Sequence, residues 1–334
     1  MSSDETDLGP DPTQPRLENA AKAGHPFSFG WSREVRAVMA GLDSARFMNR
    51  EGPWVLDSPF EVQLARLSAV IPDTPGHSGL SSIGWYRDGL STSAGSSSEH
   101  LSASLGFTVG YPFLNANVTA KYDKAVSSDS NSVKASRNSS CRVGRVILDR
   151  TPKLSHEAIA LLQAKDGPEN FRKRYGDFYI YGFGLGADAG ACMSASSEAT
   201  SSRERLDITV QVKVLFYSKS VTHTELKTSN TQSSSIAFSG YSTLDTGPPC
   251  ALTSTSSDQQ QALGQRATEY LNKVESLQST VRDVMGELGL VDGARLPLSD
   301  CARLCASGLV VELLVAPFAR LNQWVESIGS MRVD

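Results

Sequence analysis

The chain has 334 residues, 32 of them basic and 36 acidic, for a formal net charge of −4. This length can bury a sizeable core, as one large domain or two smaller ones. The charge balance argues against a protein built mainly to bind nucleic acid, and no nucleic-acid partner is expected. Nowhere is there a run of about 18 apolar residues, the minimum for a membrane-spanning helix.

Residues 1–25 are polar and proline-containing and are expected to form a disordered tail. Met1–Asp7 is acidic without an apolar stretch, so no secretory signal is read. That predicts a chain soluble in the cytoplasm, or exported by a non-classical route and then membrane-associated. Cys141, Cys192, Cys250, Cys301 and Cys305 are odd in number and scattered, which suits reduced thiols better than a disulfide framework. Asn117-Val118-Thr119 and Asn138-Ser139-Ser140 fit the glycan acceptor pattern and are read as chance matches.

In chain order, Trp31–Leu42 is predicted to be a short helix capped by Ser32, with Val35, Val38, Met39 and Leu42 near one face. The stretch through Leu90 reads as irregular because Pro53, Pro59, Pro72 and Pro75 interrupt it. After a Ser/Gly loop at Ser91–Ser98, Leu101, Ala103, Leu105, Phe107, Val109 and Tyr111 alternate with small polar residues, predicting a half-buried strand. Alternation resumes past Pro112 with Leu114, Ala116, Val118, Ala120 and Tyr122. Residues 124–142 are Ser-rich, and Val143–Leu148 reads as a strand. Ser155–Lys165 is predicted helical with Ser155 as its cap, followed by a short helix over Pro168–Arg174.

Tyr175-Gly176-Asp177-Phe178-Tyr179 then opens a strand that continues to about Ser196. Aromatic and β-branched residues favour this strand. Gly182, Gly184, Gly186 and Gly190 weaken it and suit a sharp bend or the close approach of another backbone. No helix is expected directly after these glycines, so they do not read as a phosphate loop.

Further on, Leu206, Ile208, Val210, Val212, Val214 and Phe216 alternate with Asp207, Thr209, Gln211 and Lys213, the strongest strand pattern in the chain. Ile236, Phe238 and Tyr241 suggest a returning strand. Leu263, Ala267, Tyr270, Val274, Leu277, Val281, Val284 and Leu288 form a heptad seam with a capping box at Ser257 and Gln260. The seam fits either an internal helical bundle with the C-terminal helices or an intermolecular coiled coil. Asp300–Ala306 and Leu309–Val315 are read as further helices, and Pro317 as the start of another through Trp324.

No constellation points to catalysis. The five histidines are isolated, none sits at ligand spacing from a cysteine, and there is no Gly-x-Ser-x-Gly elbow. Cys301 and Cys305, one helical turn apart, read as packing residues. The chain is therefore read as non-enzymatic, with no cofactor and no metal. The basic run Arg172-Lys173-Arg174 suits a solvated helix end, with contact to anionic lipid headgroups as the alternative.

The Tyr175 run resembles the signature of the membrane-attack-complex/perforin family: an aromatic, Gly, Ser or Thr, His, an aromatic, six residues, then two glycines. Tyr175, Gly176, Tyr179 and Gly186 match; Asp177, Phe178 and Ala187 depart from it. The order of elements over roughly residues 95–245 is also similar. The resemblance implies a twisted, bent antiparallel sheet flanked by helical clusters, an α+β fold. It divides the chain into a tail (1–25), a perforin-like domain (26–250) and a helical C-terminal region (251–334). It further implies that two inserts, about 112–142 and 197–240, unfurl into β-hairpins in a ring of subunits joined edge to edge on a lipid membrane. Leu206, Ile208, Val210, Val212, Val214 and Phe216, with Leu114, Ala116, Val118 and Ala120, would face the lipid. The alternative reading of Leu206–Tyr217 is a core strand of an antiparallel sheet. No lipid-binding module is visible, so a second, membrane-targeting protein is a possible partner. The alternative function is a soluble, non-lytic relative acting as a binding or assembly protein.

Overall fold

The computed structural model describes residues 17–55, 57–61, 65–72, 83–91, 111–114, 118–128, 133–196, 202–217, 235–245, 248–254 and 256–330. Among them, eleven strands form one sheet: β1 (Phe27–Gly30), β2 (Gly41–Leu42), β3 (Trp54–Val55), β4 (Arg66–Val70), β5 (Ile83–Ser91), β6 (Val133–Leu148), β7 (Phe178–Ser196), β8 (Ser235–Ser242), β9 (Cys250–Ser254), β10 (Arg295–Pro297) and β11 (Val310–Pro317). The helices are α1 (Leu17–Lys22), α2 (Val118–Ser128), α3 (His156–Leu162), α4 (Gly167–Tyr175), α5 (Ser202–Tyr217), α6 (Ser257–Glu275), α7 (Leu277–Glu287), α8 (Cys301–Ala306) and α9 (Asn322–Ser330). The fold is α+β, and every strand pairing is antiparallel.

β6 and β7 pair from Val133↔Ala195 to Ile147↔Gly182 and form the spine of the sheet. Each changes its outer partner part-way along. β6 pairs with β4 through residues 145–148 and with β5 through residues 134–142. β7 pairs with β11 through residues 178–185 and with β8 through residues 189–196. Both exchanges fall at one level, where the β6–β7 register shifts between Arg142 and Gly144. A bulge bends the strand that carries it and raises its twist, so the sheet turns here.

One large core packs around the end of the sheet nearest α3, α4 and α7, with Phe183, Leu185, Phe171, Leu162, Val281 and Leu313 fully buried. At the other end, α5 and α6 cover one face through Ile208, Val212, Leu263 and Ala267 against Ala191, Met193 and Phe238. α2 covers the opposite face through Tyr122 and Val126 against Cys192 and Tyr241. The alternation of residues 191 and 193 with residue 192 assigns each helix its face, as a strand period of two requires.

The strand at Phe178–Ser196 and the strand at Ser235–Ser242 lie where the sequence places them. Val143–Leu148 is the end of the longer β6. Ser155 caps α3, its hydroxyl accepting from the Ala158 amide at 3.2 Å. The alternating stretch 101–110 lies outside the described residues, as does Ala116.

Several expectations are corrected. Within the expected tail, residues 17–22 form α1, and the buried Leu17 amide donates to the Tyr111 hydroxyl at 3.0 Å. Trp31–Leu42 is not a helix. Met39 takes φ +69°, its amide donates to the Ile180 carbonyl at 2.7 Å, and Gly41–Leu42 pair with β7 instead. The apolar residues there are buried as the pattern demanded, but by docking on the sheet. The stretch from there through Leu90 contains β3, β4 and most of β5 rather than being irregular. Leu114 sits in a short 3-10 turn, and Val118–Ser128 is α2, so the second alternating run is not a strand. Residues 133–142 of the expected mobile insert are already β6. Leu206–Tyr217 is helical as α5, neither a core strand nor any other strand.

The heptad seam is two helices divided at Ser276, and it packs on the sheet rather than in a helical bundle. Met285, not Val284, is the buried residue in its last turn. Ser256 rather than Ser257 is the N-cap of α6, without a side-chain cap bond. Leu309–Val315 is not a helix: Val310–Pro317 is β11, lying between β1 and β7. The helix after Pro317 starts at Asn322, behind a 3-10 turn. The C-terminal third thus supplies strands as well as helices. β11 should be indispensable, and Leu313→Ala is expected to lower stability by about 2–5 kcal/mol, as a shift in urea midpoint without loss of cooperativity. A change under about 0.5 kcal/mol would contradict its central placement.

Candidate functional site

The signature residues start β7. Tyr175 closes α4 with its ring 4.8 Å from Phe171. Gly176 has φ +85°, and a Cβ there would fall 2.3 Å from the Leu42 carbonyl oxygen, so only glycine fits. The Asp177 carboxylate accepts from the Ser44 amide at 2.8 Å and from the Ser44 hydroxyl. Phe178 sets its ring edge-on to Phe27 at 5.2 Å, and Tyr179 to Phe60 at 5.0 Å. Asp177 and Phe178, two of the three departures from the signature, therefore serve to pin β7 to earlier parts of the chain. The neighbouring basic run is engaged in surface ion pairs: Arg172 with Asp43 at 3.4 Å, Lys173 with Glu169 at 2.8 Å and Arg174 with Glu157 at 2.7 Å. Such exposed pairs are screened by solvent and add little to stability.

The bend itself lies at Gly186-Ala187-Asp188. A Cβ on Gly186 would stand 2.0 Å from the Cys141 carbonyl oxygen, so the two central strands approach here as closely as backbones can. Ala187 is fully buried beside it. Gly182, Gly184 and Gly190 continue the run on either side. At the exchange the Gly186 amide donates to the Leu309 carbonyl at 2.8 Å, and the Thr243 amide donates to the Asp188 carbonyl at 2.9 Å.

An ion cluster spans three strands at this level. The Arg142 guanidinium of β6 grips the Asp188 carboxylate of β7 with two bonds, at 2.9 and 3.1 Å, and reaches Glu312 of β11 at 3.0 Å. The Ser140 hydroxyl lies 2.7 Å from Asp188, and the Thr243 hydroxyl accepts from the Asp188 amide at 3.0 Å. Glu312 lies over Gly184, in space that any other residue's Cβ would contest. Burial alone would lower the Arg142 pKa, but the two facing carboxylates reverse this and hold it above the ordinary arginine value. Asp188 is 4% exposed. A bidentate arginine–carboxylate pair at this depth fixes geometry strongly, and removing one partner leaves a buried charge alone.

Two further cations on β6 hold the flanking helices. Lys134 is buried and donates to the Val126 carbonyl near the end of α2 at 3.0 Å. Arg137 pairs with Glu275 at the end of α6 at 2.7 Å and lies 5.3 Å over the ring of Tyr217, the last residue of α5. The charges on residues 134–142 thus tie α2, α5, α6 and the bend to one strand.

α5 carries two patterns at once. Ile208, Val212, Leu215 and Phe216 follow the helical spacing and are buried. The two-residue repeat from Leu206 to Phe216 advances about 200° per step on a helix, which throws its other members off the buried stripe. Leu206 is 62% exposed and Val210 48%. Val214 is partly buried. Of the residues expected to face lipid in the earlier segment, Leu114 is buried, Val118 is partly buried at the start of α2, and Ala120 lies within α2.

The helix α2 lies in the connection from β5 to β6, and α5 in the connection from β7 to β8, with β5, β6, β7 and β8 adjacent. That is the order of elements the signature implies. In fold, the chain is like the membrane-attack-complex/perforin family. No family model matches the chain, and no curated protein matches it. Similar solved structures include GNIP1Aa from Chromobacterium piscinae (13% identity, TM-score 0.30, covering 91% of this chain and 56% of that one). Wild-type pneumolysin is 12% identical (TM-score 0.33, 87% and 59%). A cell invasion protein described with a MAC/Perforin domain, from Bacteroides thetaiotaomicron, is 11% identical (TM-score 0.26, 77% and 56%). The chain thus spans a little over half the length of these proteins. Scores this low leave the fold to be argued from the strand order and the bend described above.

The sequence reading missed Arg142, Asp188 and Glu312. The available signal was Asp188, a lone charge inside the small-residue run Ala187–Ala191, which marks a buried ion awaiting a partner. Arg142→Met is expected to destabilise by about 3–5 kcal/mol, because it strands the Asp188 carboxylate. The double change Arg142→Met with Asp188→Asn should recover part of that loss, and strict additivity in the denaturation cycle would count against a coupled pair. Gly186→Ala is expected to destabilise the protein. Gly286→Ala in α7, where a Cβ meets open space, should stabilise it by up to about 1 kcal/mol. Equal effects in thermal melts would refute the close approach at Gly186.

Proposed function

We propose that this chain is a pore-forming protein that assembles into a ring on a membrane and inserts β-hairpins. The observation that carries the reading is α5, a helix whose apolar residues also repeat every second position over Leu206–Phe216. A barrel strand crossing a bilayer needs about 9–11 residues with one apolar face. α5 lies between β7 and β8, which are already paired, so its unrolling would prolong an existing hairpin. α2 stands in the same relation to β5 and β6. No helix among the described residues is long and apolar enough to cross a membrane; insertion by hairpins needs none, provided the barrel closes and satisfies every backbone group.

Ring assembly would join sheet edges. β5 pairs only with β6 among the described residues, whereas the outer edge of β8 is covered by the short β9, from Ile236↔Ser254 to Gly240↔Cys250. Edge joining through β8 therefore requires β9 to leave, and an edge covered until then is protected from premature pairing. The protein would reach the membrane from the cytoplasm, or after export by a non-classical route. A second reading, a non-lytic binding or assembly protein, is favoured by the clamps from Lys134 and Arg137, which hold the helices on the sheet.

Purified protein is expected to release dye from liposomes and to form rings visible by electron microscopy. A monomer inert on several lipid compositions would decide for the non-lytic reading. Val210→Lys separates the roles of one residue. Val210 is exposed on α5, so folding stability should change by no more than about 0.5 kcal/mol. A lysine near the bilayer midplane costs about 2–4 kcal/mol, so release should fall at least about tenfold. Undiminished release by this variant would rule out insertion of Leu206–Phe216.

A further inference from the structure

A cavity of about 310 Å³ opens on the α2 face of the sheet, directly beside the bend. Its apolar walls are Trp31, Val118, Val310 and Val311, and Cys305 lies among them. Five parts of the chain meet there: the loop after β1, the start of α2, Asp188 of β7, Thr243 and Asp245 at and after the end of β8, and the α8–β11 segment. The volume is at the small end of ligand pockets, which run from about 300 to 1,000 Å³.

The polar groups of the cavity are unequal. Its two carboxylates are already neutralised, Asp188 by Arg142 at 2.9 Å and Asp245 by Lys273 at 2.9 Å. Its two guanidiniums, Arg33 and Arg36, are exposed at the rim and have no ion pair among the described residues. The loop bearing them is held in place: the Trp31 amide donates to Val311 at 2.9 Å, and the Trp31 indole donates to the Val35 carbonyl at 2.8 Å. The cavity therefore combines an apolar interior, a rim of unneutralised positive charge and a fixed wall. Burial pushes the Cys305 thiol up to about 12, so this wall stays uncharged at neutral pH.

We propose that this cavity binds a small amphiphile with a single anionic group, of the class of a medium-chain or aryl carboxylate, its apolar body against Trp31 and its anion at Arg33 and Arg36. The volume suits one short chain and not a diacyl lipid. Such a ligand would bridge α2, the bend and β11, and would hold the compact form together.

Calorimetric titration of the full chain with octanoate, octanol and inorganic phosphate tests this. Octanoate is expected to bind at least tenfold more tightly than octanol, phosphate not to bind, and octanoate to raise the melting temperature. Arg33→Gln with Arg36→Gln should erase the preference for octanoate over octanol. Ala302→Phe, at an exposed position in the cavity wall, should weaken both ligands at least tenfold. Equal binding of octanoate and octanol by the parent chain, or octanoate binding that survives both sets of changes, would overturn the proposal. So would competition by phosphatidate vesicles, which would assign the charge to a membrane surface. None of these readouts involves dye release, so the cavity and the pore can fail independently.

Discussion

The close approach of β6 and β7 governs the structure. Their ladder runs the length of both strands, and at Gly186 no side chain separates it from the Cys141 carbonyl. Small residues at 187, 189, 191 and 195 keep the rest of β7 thin, so helices can seat on both of its faces. Because both outer partners change at one level, the two halves of the sheet are separate units joined through two strands. The Arg142–Asp188–Glu312 cluster lies across that joint. A buried charge network is a costly way to hold strands together, but it fixes their relative position more narrowly than apolar packing does.

The parts of the fold legible in the sequence are those with a local cause. Ser155 announces its helix by capping chemistry, and the Tyr175–Ser196 run announces a bent strand through aromatics interleaved with glycines. The illegible parts were set by tertiary context. Val310–Pro317 is a short, nearly continuous apolar run, and such runs do not distinguish a buried helix from a buried strand. Its β-branched residues Val310, Val311 and Val315 were the cue for a strand. Trp31–Leu42 has apolar residues at helical spacing, yet its backbone groups bond to β7, which no periodicity reveals. Of the candidate site, the glycines were legible. The ion cluster was not, because Arg142, Asp188 and Glu312 are brought together only by strand register.

α5 is the instructive failure of pattern reading. The stripe Ile208, Val212, Leu215 and Phe216 was present all along, but the two-residue repeat is stronger. Natural sequences usually make local preference agree with the fold, and a segment that satisfies two periods departs from that rule. The departure leaves Leu206 and Val210 in water, a standing penalty that packing against α6 and the contact of Arg137 with Tyr217 must offset.

The position of β11 has a consequence for biosynthesis. Residues 310–317 lie between β1 and β7, so one edge of the glycine-bearing strand stays bare on the ribosome until more than a hundred further residues have emerged. Pairings so distant along the chain form slowly, and an unpaired strand edge is an aggregation hazard while it waits. The glycines that let β6 and β7 approach are also poor strand formers. They keep the nascent edge from ordering prematurely, so that nascent β7 is a weak template for a neighbouring chain until its own β11 arrives.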